Sequence, residues 1–169
     1  KNNCKKIKKL KFKVINRSLG IHLNYKTKNF KENIQVGSIL WTLSCCLNPI
    51  NVLKDIYKTL DKNGYLVVAE SSRIMVPFKK KIDLLFNKKF PTDYHPFWFS
   101  HNTLKALLYI CGFKTIYINN YQDSDVLLII AKKIQPNKKK MLEVDDYKNV
   151  LNFLKKWTNN QKFFNSILS

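Results

Sequence analysis

Apolar positions in the middle of this chain switch between two spacings, and the switch marks out its elements. In LNPINVLKDIYKTLDKNGYLVVAE, Leu53, Ile56, Tyr57 and Leu60 recur at i, i+3, i+4 and i+7, which predicts a helix from about residue 49 to 61. Asn48 suits its N-cap and Pro49 its first turn. Asp61-Lys62-Asn63-Gly64 should end it, with Gly64 in the left-handed C′ position. Tyr65 to Ala69 (YLVVA) is then a nearly continuous apolar run, the pattern of a strand buried on both faces of a parallel sheet. A second such run, Val36 to Leu43 (VGSILWTL), precedes Asn48. Strand, helix and strand with short joints make a βαβ crossover, hence an α/β domain.

Downstream the spacing repeats. Ser100 caps a helix with Leu104, Leu107, Leu108 and Cys111 on one face and Gly112 at its C′ end. Phe113 to Ile118 (FKTIYI) alternates and Asp125 to Ala131 (DVLLIIA) is apolar. The polar joint Asn119 to Ser124 is too short for a crossover helix, so these two strands should pair antiparallel. The predicted sheet is parallel with an antiparallel last strand. Between the two units, Ile74 to Phe90 mixes apolar and basic residues and reads as a substrate-side insertion with a short helix. After a basic linker (Gln135 to Lys140), Tyr147, Val150, Leu151, Leu154 and Trp157 predict an amphipathic helix suited to docking on the domain or on a partner.

Composition narrows the class. The 169 residues fit one domain, and 45% hydrophobic with 13% aromatic residues is a globular composition. No apolar run reaches the ~20 residues that span a bilayer, and the basic N-terminus has no apolar region behind it, so neither a membrane span nor a secretory signal is expected. Cys4, Cys45, Cys46 and Cys111 have no metal-ligand spacing; buried free thiols in a reducing cytoplasm fit them. The net charge of +20 invites nucleic acid. Yet only Arg17 and Arg73 of the 31 basic residues are Arg, the residue that clamps phosphates and reads bases. The lysines scatter without aromatic interleaving, as on a solvated surface.

The ordered pieces resemble the C-terminal half of a class I S-adenosylmethionine-dependent methyltransferase, in the branch acting on small molecules and sugars. They are Leu43-Ser44-Cys45-Cys46-Leu47-Asn48-Pro49, the following helix and Lys-Asn-Gly turn, the YLVVAE strand, and Phe97-Trp98-Phe99-Ser100 through Gly112-Phe113. The family's corresponding L-E-H-x-x-N-P has Glu and His where this chain has Ser44 and Cys45. The similarity covers roughly residues 34 to 133 and implies a partial Rossmann-like sheet. Residues 1–33 are then the basic remnant of a first half, 34–134 the back half of the domain, and 135–169 the linker and terminal helix. The family's Gly-rich cofactor turn is not matched: the glycines are Gly20, Gly37, Gly64 and Gly112, never two together. With no initiator Met either, the chain reads as the back part of a longer enzyme or a degenerate relative, binding S-adenosylmethionine weakly or not at all by itself.

In open α/β sheets ligands bind beyond the carboxyl ends of the strands. That rule selects Trp41, Thr42, Leu43 and Ser44 as cofactor contacts, and Glu70 and Ser71 on the substrate side. Trp41 also suits a core position. His95 is the candidate base, with His101 second, and Tyr94 and Trp98 could wall the acceptor or simply pack the insertion. The expected activity is methyl transfer to a small metabolite or sugar. Two other readings stay open: a nucleic-acid-binding protein or RNA-directed methyltransferase using the +20 charge, and a non-catalytic interaction module.

Overall fold

The computed structural model describes residues 34–71, 74–75, 95–120, 126–135 and 143–168. Strand β1 (Ile34–Leu40) leads through a 3-10 turn (Leu43–Cys45) into helix α1 (Pro49–Thr59) and strand β2 (Leu60–Glu70). Helix α2 (His101–Ile110), strand β3 (Phe113–Ile118), strand β4 (Leu127–Lys133) and helix α3 (Tyr147–Leu168) follow. The strands form one sheet in the order β1-β2-β4-β3. β1 and β2 are parallel; β4 is antiparallel to both its neighbours. The predicted α/β sheet with an antiparallel last strand is present, and the β3–β4 hairpin slots β4 in beside β2.

One face of the sheet carries the core. Ile39 of β1, Leu66 and Val68 of β2, Leu127, Ile129 and Ala131 of β4 and Phe113 of β3 are buried with Val52 and Leu53 of α1 and Leu104, Leu108 and Cys111 of α2. The register explains the alignment, since Ile39 pairs with Val68, and Val68 in turn with Ile129. The other face is more open: Val36 is 61% and Leu40 46% exposed.

Both predicted helix starts are present. Asn51 N–H donates to the Asn48 side chain at 3.0 Å, with Pro49 opening α1. Thr103 N–H donates to Ser100 Oγ at 3.1 Å at the start of α2. Asp145 adds to the second cap, accepting from the Ser100 hydroxyl and, at 3.2 Å, from Asn102 Nδ2. A carboxylate at a helix N-terminus is favoured by the helix dipole, and it fastens the segment before α3 to the domain.

The end of α1 departs from expectation. The helix stops at Thr59, two residues early, because Leu60 is already extended and pairs with Ile34. The next pair is Val36 with Tyr65, so residues 61–64 bulge out of β2. Gly64 sits in that bulge with 3.1 Å between a built Cβ and the Asp61 carbonyl; it is not a left-handed helix cap. The carbonyls at this helix end are met instead by Lys133 of β4, whose ammonium donates to Tyr57 O and Leu60 O, both at 2.5 Å. The same ammonium lies 4.3 Å from the centre of the Tyr57 ring. Burial lowers the Lys133 pKa from 10.5, an effect that Asp61 partly opposes.

Along α3 only part of the predicted stripe is covered. Trp157 is buried and stacks at a tilt on Phe153, with 5.7 Å between ring centres, whereas Tyr147 (74%) and Leu151 (46%) are exposed. Among the described residues no helix is long and apolar enough to cross a membrane.

Candidate functional site

Three loops meet at the carboxyl ends of β1 and β2. The first, residues 41–47, leaves β1 and turns immediately: Trp41 has φ 51°, a left-handed conformation that costs a bulky residue about 1–2 kcal/mol. It is held because Trp41 N–H donates to Ala69 O of β2 at 2.7 Å. Thr42 Oγ1 donates back to Leu40 O at 2.8 Å. The second loop starts at Ser71 and contains the other left-handed non-glycine residue among those described, Met75, at φ 62°. The third, residues 95–100, crosses both: Phe97 N–H donates to Ser44 O at 3.3 Å, and Ile74 N–H donates to Phe99 O at 2.9 Å.

Glu70 ends β2 on the core side of the sheet. Its carboxylate accepts from Leu43 N–H at 2.8 Å, Ser44 N–H at 3.4 Å and the Ser44 hydroxyl at 2.5 Å. All three residues have no exposed surface. The 3-10 turn therefore has its leading N–H groups satisfied from within the chain.

These contacts sort the residues singled out from the sequence. Trp41 is 52% exposed at the edge, so it is not a core residue. Thr42 and Ser71 are half-buried beside it. Leu43, Ser44 and Glu70 are buried together, and Glu70 meets the loop, with no surface left for a substrate. His95 and Trp98 are half-buried neighbours, with ring centres 6.1 Å apart at 60°. His101 is exposed at the first turn of α2. Tyr94 lies outside the described residues, as does most of the Ile74 to Phe90 insertion. Met75 and Asp145 escaped the sequence reading: nothing in their neighbours announces a left-handed backbone, or a cap to a helix more than forty residues upstream.

The three cysteines among the described residues are not uniformly buried; Cys4 lies outside them. Cys45 is exposed, Cys46 half-buried and Cys111 buried. Burial pushes the Cys46 thiol up, with Cys45 and Glu70 adding repulsion for the thiolate. Its Sγ donates to Thr42 O at 3.2 Å. Burial likewise raises Cys111, against a smaller opposing effect of Lys54. Less thiolate means slower alkylation. Peptide mapping after iodoacetamide at pH 8 should show Cys45 modified at least tenfold faster than Cys46 or Cys111; equal rates at Cys45 and Cys46 would contradict this placement.

Among the described residues no group of three or more His, Cys, Asp or Glu could hold a metal ion. For a nucleoside-type cofactor the described edge offers the Trp41 indole and the polar groups of Thr42 and Ser71. Gly37, Gly64 and Gly112 lie inside β1, in the β2 bulge and at the end of α2, all away from this edge.

No protein-family model and no curated protein matches the chain. Among solved structures it is similar to a chain of the Haloferax volcanii complex between the Trm112 methyltransferase activator and a candidate methyltransferase, with 9% identity and a TM-score of 0.48 over 61% of this chain and 55% of that one. It is also similar to a Thermotoga maritima S-adenosylmethionine-dependent methyltransferase with a suggested histamine N-methyltransferase activity. There the identity is 18% and the TM-score 0.44, over 63% of this chain and 60% of that one. The likeness is of overall fold, and this chain spans little more than half the length of either structure.

Proposed function

We propose that the chain forms the trailing half of an S-adenosylmethionine-dependent methyl-transfer domain acting on a small metabolite or sugar. The observation that carries this reading is the convergence of three loops at the carboxyl ends of two parallel strands, around a left-handed Trp41 tied to β2. Backbone strain of this kind persists where the surroundings over-determine it, and it concentrates at ligand sites. The motif order from Leu43 to Phe113 supports the same assignment.

In this reading Trp41 and Thr42 hold one side of the cofactor, which supplies an electrophilic methyl group when bound. Transfer to a nucleophile is an in-line displacement, so the chain's own part is to orient the acceptor and keep water away. Trp98 is the wall of the acceptor side, and His95 takes the proton where the acceptor must lose one. The cofactor cradle proper is not among the described residues, so affinity of this chain alone should be about millimolar, near 4 kcal/mol.

An NMR titration of the full chain with S-adenosylhomocysteine tests it. Shifts should cluster at Trp41 to Ser44, Ser71 and His95, and Trp41→Ala should abolish them. No shift at this edge at ~10 mM ligand, well above that constant, would overturn the reading. So would shifts produced instead by RNA across the lysine-bearing surface of α1 and α3, with an affinity falling steeply in salt.

A further inference from the structure

We propose that Glu70 is a positioning residue for this site: its buried carboxylate sets the Trp41–Ser44 loop so that the Trp41 indole stands at the strand ends as a stacking surface for a planar ring. The ligand part of this inference rests on the methyl-transfer reading above; the positioning part does not.

The geometry is that of a clamp between two strands. Glu70 is the last residue of β2, and the groups it binds belong to the first turn after β1. Two backbone N–H groups and one hydroxyl converge on the same carboxylate, and donors and acceptor alike are shut off from water. A buried acceptor shared by three donors cannot be removed without orphaning all of them. Two residues before Leu43 comes Trp41, whose left-handed backbone is held on its own side by the bond to Ala69 O. With Leu43 and Ser44 fixed as well, the loop is pinned on both sides of Thr42, and Trp41 has little freedom to relax into an extended conformation. The third loop is tied in too, because Phe97 N–H donates to the carbonyl of the clamped Ser44. One carboxylate thereby orders the loop carrying Trp41 and the backbone next to His95 and Trp98.

The test uses the full chain with its three tryptophans fluorinated, the Trp41 resonance being assigned by Trp41→Phe. Glu70→Ala should shift or broaden that resonance. It should also speed amide exchange at Leu43 and Ser44 at least tenfold, while the amides of Val68 and Ile129 keep their rates. Glu70→Gln keeps one oxygen for Leu43 N–H and lets the Ser44 hydroxyl turn round to accept from the amide, losing only the long 3.4 Å bond from Ser44 N–H. It should therefore restore both readouts to within about threefold. Ser44→Ala removes a single bond and should lie between them. The S-adenosylhomocysteine shifts at Trp41 to Ser44 should vanish in Glu70→Ala and return in Glu70→Gln.

An unchanged Trp41 resonance in Glu70→Ala overturns the proposal, as does a rise in loop exchange matched by the core amides. Should Glu70→Ala fail to fold, Ser44→Ala decides: no change at Trp41 or in loop exchange overturns it. Loss of the ligand response in the unsubstituted chain would count against methyl transfer, while the fluorine and exchange readouts would still judge the clamp.

Discussion

Replacing Gly112 with Ala is expected to lower stability by about 3 kcal/mol, from left-handed backbone strain and overpacking together. Gly112 has φ 92°, and a Cβ there would lie 2.4 Å and 2.7 Å from two atoms of the Tyr57 ring. That ring cannot simply swing aside. Its hydroxyl donates to Ile134 O at 3.0 Å, its face carries the Lys133 ammonium, and its edge contacts Phe113 with 5.7 Å between centres. Gly112 is itself tied down, since its carbonyl accepts from Ile134 N–H at 2.8 Å. For a chain of this size the loss corresponds to roughly 10 °C in melting temperature. Urea unfolding of Gly112→Ala, alone and with Tyr57→Ala, measures it. The double variant should recover at least about 1 kcal/mol of the summed losses, because the second change removes the obstacle. A loss below ~1 kcal/mol for Gly112→Ala alone would show that the ring yields easily.

The second large effect is expected at the next residue. Phe113→Ala should cost about 3–5 kcal/mol, as for other large-to-small changes at fully buried aromatic positions. Phe113 opens β3, pairs with Lys133 of β4 and has no exposed surface. Deleting its ring opens a cavity between α1 and the β3–β4 hairpin and leaves Tyr57 without its edge-to-face partner. Phe113→Leu, which refills most of the volume, should cost no more than about 1.5 kcal/mol. Urea midpoints for the two variants, with equal slopes, provide the check; equal losses would mean that the site collapses around either residue.

Both predictions fall where the sequence was already informative about one partner and silent about the other. Gly112 was readable as a C′ glycine, because a helix pattern ended and a strand pattern began on either side of it. That the ring facing it belongs to Tyr57, and that Lys133 lies over the same ring, follows only from how α1 packs on the hairpin. Gly64 shows the converse. It too follows a helix pattern, but Leu60 was drawn into pairing with Ile34, and ladder hydrogen bonds outweighed the local stop signal. Cap propensity is a matter of about 1 kcal/mol, and a strand entering a sheet gains several such terms at once.

The candidate site divides in the same way. The strand ends at which it is proposed were legible, because parallel strands place ligands at their carboxyl ends whatever the side chains. The rule and the motifs singled out Trp41, Thr42, Ser71, His95 and Trp98 as candidates; Trp41, Thr42 and Ser71 stand at the strand ends, and the rings of His95 and Trp98 are neighbours in the crossing loop. Their separate duties were not. Glu70 reads from the sequence as the polar end of an apolar strand, and only the folded chain brings three buried donors to its carboxylate. The exposure of Cys45 beside half-buried Cys46 likewise depends on which side of a single 3-10 turn faces the core.

Features set within a few residues of chain could be read in advance: the helices at Asn48 and Ser100, the apolar strands, the parallel crossover and the hairpin. Apolar periodicity and end-capping act over one or two turns, so a local reading suffices. The long-range choices belong to the folded molecule: β4 lying against β2, Lys133 closing the end of α1, Asp145 capping α2, and Glu70 reaching the turn after β1. Each joins groups tens of residues apart. Such pairs form because packing brings polar groups of distant elements within hydrogen-bonding reach, a circumstance that exists only once the chain has folded.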